Sequence, residues 1–192
     1  MPRAFDDEWS LNWFEDRLKG REETFFHVAF ICSSLDCKTV LDVGGGPGFM
    51  RRFLPSDIKL DVVDISPKIK LLGEPLFPDV KFITGTIDDM DNSYDAVIAI
   101  SVIEHMNGYQ SFLASAFKKA NKVVVVAFRN GLDEKEKIQN YKRLRNYWDN
   151  KYSLPKLKDW IDSTLIPSRM EIIKVNVNRD YSPELVMVLY KE

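Results

Sequence analysis

The chain has 192 residues, enough for one domain with a substantial buried core. Its 45% hydrophobic content excludes wholesale disorder, and a formal net charge of −2 argues against a nucleic-acid binder, which carries a marked basic excess. No apolar run approaches the roughly 18 residues of a membrane span, and the acidic start MPRAFDDEWSLNW lacks the basic and then apolar run of a signal peptide.

Residues 8–35 read as one or two helices. Trp9, Trp13 and Phe14 follow i, i+4, i+5 spacing, and Leu11 and Leu18 extend the apolar stripe. Phe25, Phe26, Phe30 and Ile31 read as core, and His27 as an ordinary helix histidine. Cys32 and Cys37 form no C-x-x-C pair and need not be linked; a reduced, cytoplasmic setting with no metal is expected.

Thr39 to Phe49, TVLDVGGGPGF, reads as a strand, a glycine turn and the start of a helix running to Leu54. Glycine is needed where backbone takes positive φ or lies against a ligand with no Cβ between. The dinucleotide fingerprint G-x-G-x-x-G fails in both registers: counted from Gly44 its third glycine is Phe49, and counted from Gly45 its second is Pro47. The phosphate-loop pattern fails too, because no Lys-Ser/Thr follows Gly48. D-x-G-x-G-x-G fits, with Asp42 before Gly44, Gly46 and Gly48. A fixed carboxylate there repels phosphates and suits a cationic ligand.

This motif resembles the first motif of the class I S-adenosylmethionine-dependent methyltransferases, and three later stretches extend the resemblance to about Phe128. Lys59 to Ser66 reads as a second strand ending in Asp64 and Ile65. It lies about twenty residues past the first motif, where such folds place an acid on the ribose; Asp61 is the alternative, as a strand-start carboxylate in solvent. Ser66-Pro67 reads as an N-cap with proline at the first helical position. Val80 to Gly85 is a third strand, and the turn Thr86-Ile87-Asp88 that follows is, in the family, the frame of the adenine. The family's acid after the glycine is here Thr86, so the partner of the adenine amine is Thr86, Asp88 or backbone. Tyr94 to Ser101 is a fourth strand, followed by Val-Ile-Glu-His-Met. It is similar to the family's D-V-L-E-H ending, with Ser101 in the acidic slot and Ile100 beside it supplying backbone to the cofactor's amino group.

Further along, Tyr109 to Ala120 reads as a helix, Lys122 to Phe128 as a strand covered on both faces, and Glu171 to Val177 and Glu184 to Tyr190 as two final strands, with turn residues at 180–183. Ser153 caps a helix through Trp160. By itself this pattern supports an α/β fold with a mostly parallel sheet. The resemblance implies a Rossmann-like sheet of seven strands with helices on both faces, order 3-2-1-4-5-7-6, the last strand antiparallel. The 192 residues then divide into a helical lid (1–36), a cofactor-binding half (37–128), an insertion and helix near the acceptor pocket (129–165) and a terminal strand pair (166–192).

The resemblance implies S-adenosyl-L-methionine held by Asp42, Gly44, Gly45, Gly46, Gly48, Asp64, Ile65, Thr86, Ile87, Asp88, Ile100 and Ser101. Methyl transfer needs a base only when the nucleophile must lose a proton; His105 is the first candidate, Glu104 the second. The structural alternatives are Glu104 tying down the loop and His105 closing a helix end. Trp9 with Phe5, and Arg129, Arg143, Tyr147 and Trp148 of the charge-rich insertion, are candidate contacts to an aromatic or anionic acceptor. No proline-rich D-P-P-Y-type motif follows the fourth strand and no cysteine stands near it, which disfavours DNA amino-methylation and carbon-5 pyrimidine chemistry. A small molecule methylated on oxygen or nitrogen is the leading expectation. A silent cofactor-binding subunit, a protein or RNA methyltransferase and an aminopropyl transferase are the rivals; the basic insertion argues against the last.

Overall fold

The computed structural model describes residues 10–129, 132, 135, 137, 140, 141, 147–177 and 183–191. Seven strands form one sheet: β1 Thr39–Val43, β2 Lys59–Asp64, β3 Lys81–Thr84, β4 Tyr94–Ile100, β5 Ala120–Phe128, β6 Arg169–Val175 and β7 Glu184–Tyr190. Their spatial order is β3-β2-β1-β4-β5-β7-β6, as the resemblance implied. All neighbours pair in parallel except β7, which runs antiparallel to both β5 and β6.

The apolar run of β5 shows why helices cover both faces. Val123, Val125 and Ala127 face one core, which also holds Val28, Ile31 and Cys32 of α2 (Glu22–Ser34) and Ile69 of α3 (Pro67–Gly73). Val124, Val126 and Phe128 face the other, with Phe112 and Leu113 of α4 (Gln110–Lys119) and Leu157 and Ile161 of α5 (Leu154–Thr164). Period-2 alternation therefore feeds two cores from one strand. Each fully buried valine or leucine contributes about 1.5–3 kcal/mol of transfer free energy. The N-terminal segment is two helices, α1 (Leu11–Leu18) and α2, with Phe14 packed on the first of these cores.

Three local expectations are corrected. Phe26 and Phe30, read as core, are exposed on α2. The helix expected at 49–54 is a 3-10 turn, Phe49–Arg52. Pro55 disfavours helical backbone in the residue before it, and the Arg51 guanidinium takes over the free carbonyls, donating to Leu54 at 2.6 Å and Ile58 at 2.7 Å. Ser66 does precede Pro67 at the start of α3, but its side chain makes no capping bond there; its backbone N–H donates instead to Asp64 Oδ1 at 3.0 Å.

The chain turns back after β3 to place β4 on the other side of β1. The carboxyl ends of β1 and β4 thus form the switch point where ligands of open α/β sheets bind.

Candidate functional site

A cavity of about 440 Å³ opens at that switch point. Every residue expected to hold the cofactor lines it: Asp42, Gly44, Gly45, Gly46, Asp64, Ile65, Thr86, Ile87, Asp88, Ile100 and Ser101, with the exception of Gly48. Gly48 lies one step back, at φ +83, where it starts the 3-10 turn.

The glycine loop is tight for identifiable reasons. Gly44 has φ +67, and a Cβ there would stand 2.6 Å from Val102 Cγ2. A Cβ on Gly45 would stand 2.4 Å from Asp42 Oδ2. The loop therefore passes the Asp42 carboxylate with no room for a side chain.

Asp42 is 2% exposed, and its Oδ1 has no hydrogen-bond partner among the described residues. Burial, and secondarily the nearby Asp64 carboxylate, push its pKa up to about 8. A buried acid without a donor is costly unless a ligand supplies a positive charge or a proton donor. Asp64 lies at the end of β2, lining the cavity. Asp61, the alternative, sits three residues earlier in the strand, outside the cavity lining, and accepts from the Tyr94 hydroxyl at 2.8 Å. In the next turn Thr86 and Asp89 form a capping box, with Thr86 Oγ1 donating to Asp89 Oδ2 at 2.9 Å. Asp88 Oδ1 accepts from Ser115 of α4 at 2.6 Å.

At the far end of the cavity stands a residue that sequence reasoning missed, Arg21. Its Nε donates to Glu184 Oε1 and its Nη2 to Ser101 Oγ. Glu184, 2% exposed at the start of β7, also accepts from Thr24 Oγ1 at 2.6 Å. The guanidinium is thus anchored to α2, β7 and the end of β4 while it lines the cavity. Arg21 and Glu184 are separated by 163 residues, so no local pattern joins them. The available hint is an acid opening the otherwise apolar strand ELVMVLY. Ser101 itself has φ +57, a conformation rare for a side-chain-bearing residue, and one that clusters at functional sites.

Of the candidate catalytic residues, His105 lines the cavity and Glu104 does not. Glu104 is 1% exposed; one oxygen accepts the Arg129 backbone N–H, the other has no partner among the described residues, and burial raises its pKa. Arg129 lines the cavity, its guanidinium 3.5 Å from Asp149. Trp13, Phe14, Arg17 and Phe25 line it from α1 and α2, with Arg17 lying 4.7 Å over the Trp13 ring. Trp148 is half-buried outside the cavity lining, and its carbonyl lies 2.8 Å from His105 Nδ1. Phe5, Trp9 and Arg143 lie outside the described residues, as do the side chain of Tyr147 and residues 180–182 of the expected turn. No helix of the described residues is long and apolar enough to cross a membrane.

A family model described as a methyltransferase domain matches residues 41–125, the span from β1 through most of β5. Solved structures share the fold at low identity. The 1,6-didemethyltoxoflavin-N1-methyltransferase of Burkholderia thailandensis, with 1,6-didemethyltoxoflavin and S-adenosylhomocysteine bound, superposes with TM-score 0.69 at 17% identity, over 89% of this chain and 80% of that one. Magnesium protoporphyrin IX methyltransferase from Synechocystis, with S-adenosylmethionine bound, gives 0.65 at 15% identity over 99% and 88%. An S-adenosylmethionine-dependent methyltransferase from Clostridium acetobutylicum gives 0.66 at 9% identity over 97% and 96%. Among curated proteins, none matches the chain. The matched methyltransferase domain thus lies over the strands that build the cavity, in a sheet of the order the motifs implied.

Proposed function

We propose that the chain moves the methyl group of S-adenosylmethionine to an oxygen or nitrogen of a small-molecule acceptor. The observation that carries this reading is the buried Asp42 carboxylate, its Oδ1 without a hydrogen-bond partner among the described residues, lining the same cavity as Asp64 and the glycine loop. The chemistry that S-adenosylmethionine supplies when bound is a methyl made electrophilic by a sulfonium.

The residues present fit that molecule along its length. Asp42 and the backbone at Ile100 suit its cationic amino-acid end. Arg21, held rigid by Glu184, suits its carboxylate. Asp64 accepts from ribose hydroxyls, and Ile65, exposed at 56% beside the cavity, and Ile87 offer apolar faces to the adenine. Asp88 accepts from the adenine amine.

The chain's contribution to the reaction is alignment and exclusion of water, worth on the order of 7–11 kcal/mol in favourable cases. His105 takes the proton of an acceptor hydroxyl or amine. Glu104, enclosed and tied to the Arg129 N–H, holds the turn that carries His105. The α1 side chains Trp13, Phe14 and Arg17 close the cavity as a lid. With Arg129, which also lines the cavity, they favour an acceptor with a flat ring and an anionic group; one structural neighbour holds 1,6-didemethyltoxoflavin and another is a magnesium protoporphyrin IX methyltransferase. Cys32 and Cys37 are free and buried, which supports a reduced cytoplasmic setting.

The test is transfer of tritiated methyl from S-adenosylmethionine to a panel of aromatic carboxylates and their neutral esters. Turnover is expected with the carboxylates. His105→Asn is expected to slow it 10²–10⁴-fold, the usual worth of a general base; a change under about threefold removes His105 from that role. Tight cofactor binding with no transfer to any acceptor favours the silent-subunit alternative.

A further inference from the structure

The segment leading into α5 grips the turn that carries His105. Asn150 donates its backbone N–H to the Glu104 carbonyl at 2.9 Å and its side-chain Nδ2 to the Met106 carbonyl at 2.7 Å. The same Nδ2 lies 2.9 Å from the Tyr152 hydroxyl, which in turn lies 3.0 Å from the Ile103 carbonyl and 3.3 Å from that of Met106. Both side chains are fully buried, and neither lines the cavity. They satisfy the carbonyls of a three-residue 3-10 turn, Ile103–His105, too short to satisfy its own. Two residues before Asn150, the Trp148 carbonyl meets His105 Nδ1 at 2.8 Å. A carbonyl oxygen only accepts, so Nδ1 carries the proton, and in the neutral ring Nε2 keeps its lone pair.

We propose that Trp148, Asn150 and Tyr152 form a positioning element. Asn150 and Tyr152 lock the turn, and the Trp148 backbone selects the Nδ1–H tautomer of His105, so that Nε2 is the nitrogen that takes the acceptor's proton. The histidine side chain in water favours the opposite tautomer, Nε2–H, so the strap imposes a state that the residue would not choose alone. The role of Nε2 rests on the reading of His105 as the base; the tautomer itself does not. A histidine whose second nitrogen is fixed by a backbone carbonyl is oriented as well as tautomerically set. None of the three residues touches the cavity, so their effect on chemistry acts through His105.

The chain has two histidines, His27 and His105, so ring-nitrogen NMR of the 15N-labelled full-length protein is readable, with His27→Asn assigning the spectrum. At alkaline pH with S-adenosylhomocysteine present, His105 is expected to show a protonated Nδ1 and a bare Nε2. In Asn150→Ala the expected result is a shift toward Nε2–H, with S-adenosylhomocysteine affinity held within about twofold. Tyr152→Phe, which removes a hydroxyl and keeps the ring, gives the same reading in smaller degree and serves if Asn150→Ala does not fold. An Nε2–H tautomer in the wild type, or an Nδ1–H signal unchanged in the variants, overturns the proposal. Failure of S-adenosylhomocysteine to bind while His105 still shows Nδ1–H would instead overturn the methyltransferase reading and leave the positioning element standing.

Discussion

Asp42→Asn is expected to bind S-adenosylmethionine about 10–100-fold more weakly while making the ligand-free protein more stable at alkaline pH. The loss follows from removing the buried carboxylate that the cationic end of the ligand would neutralise; charge-assisted bonds of this kind contribute about 1.5–3 kcal/mol. The gain follows from linkage. In the folded, ligand-free chain the Asp42 pKa is raised from 3.8 to about 8. Between those values the folded state binds more protons than the unfolded chain, so wild-type stability falls as pH rises from 3.8 to about 8 and levels off above. Asparagine does not titrate, so the variant lacks that slope. Thermal melts across this range should show the variant overtaking the wild type as pH increases. A wild-type melting temperature that climbs relative to the variant through this window would contradict the burial and isolation of Asp42. Because a cationic ligand favours the ionised carboxylate, binding near neutral pH should also release protons, visible as calorimetric heats that depend on the buffer.

Arg21→Met is expected to cost both stability and affinity, and a double variant separates the two. Arg21 and Glu184 are 11% and 2% exposed, and the single change leaves the carboxylate of Glu184 with Thr24 Oγ1 as its one side-chain partner among the described residues. Breaking a buried pair from one side costs about 3–5 kcal/mol, on the order of 10 °C in melting temperature for a chain of this size. Replacing both partners, Arg21→Met with Glu184→Leu, leaves no stranded charge, and most of that stability should return. Affinity for S-adenosylhomocysteine should not return, staying 10–100-fold down, while affinity for methylthioadenosine, which has no carboxylate, should match the wild type. Equal losses for both ligands would show that Arg21 shapes the cavity without gripping the carboxylate.

The sheet was legible because its strands are short, apolar and bounded by turn residues, and because the order of four motifs fixes which strand ends meet. Asp42, Asp64 and the glycines were legible for the same reason: each sits where a strand ends, and the backbone there is constrained by local sequence alone. The 3-10 turn at Phe49–Arg52 was misread as a helix because the capture of Leu54 and Ile58 carbonyls by Arg51 is a side-chain event that periodicity does not encode. Arg21, Glu184, Asn150 and Tyr152 escaped because their partners lie far off in the chain: Ser101 is 80 residues from Arg21, and Met106 is 44 from Asn150. Aromatic and basic density in the insertion pointed to Tyr147 and Trp148 as acceptor contacts. Arg129 of that segment lines the cavity wall, joined by Trp13 and Arg17, whereas Trp148 lies outside the lining and its carbonyl meets His105 Nδ1.

Isothermal titration calorimetry of the full chain with S-adenosylmethionine and with S-adenosylhomocysteine probes the central claim most directly. Saturable one-to-one binding of both ligands in the micromolar range or tighter, with proton release in both cases, is the predicted result. Absence of heat with both ligands, from protein that melts cooperatively, would contradict it.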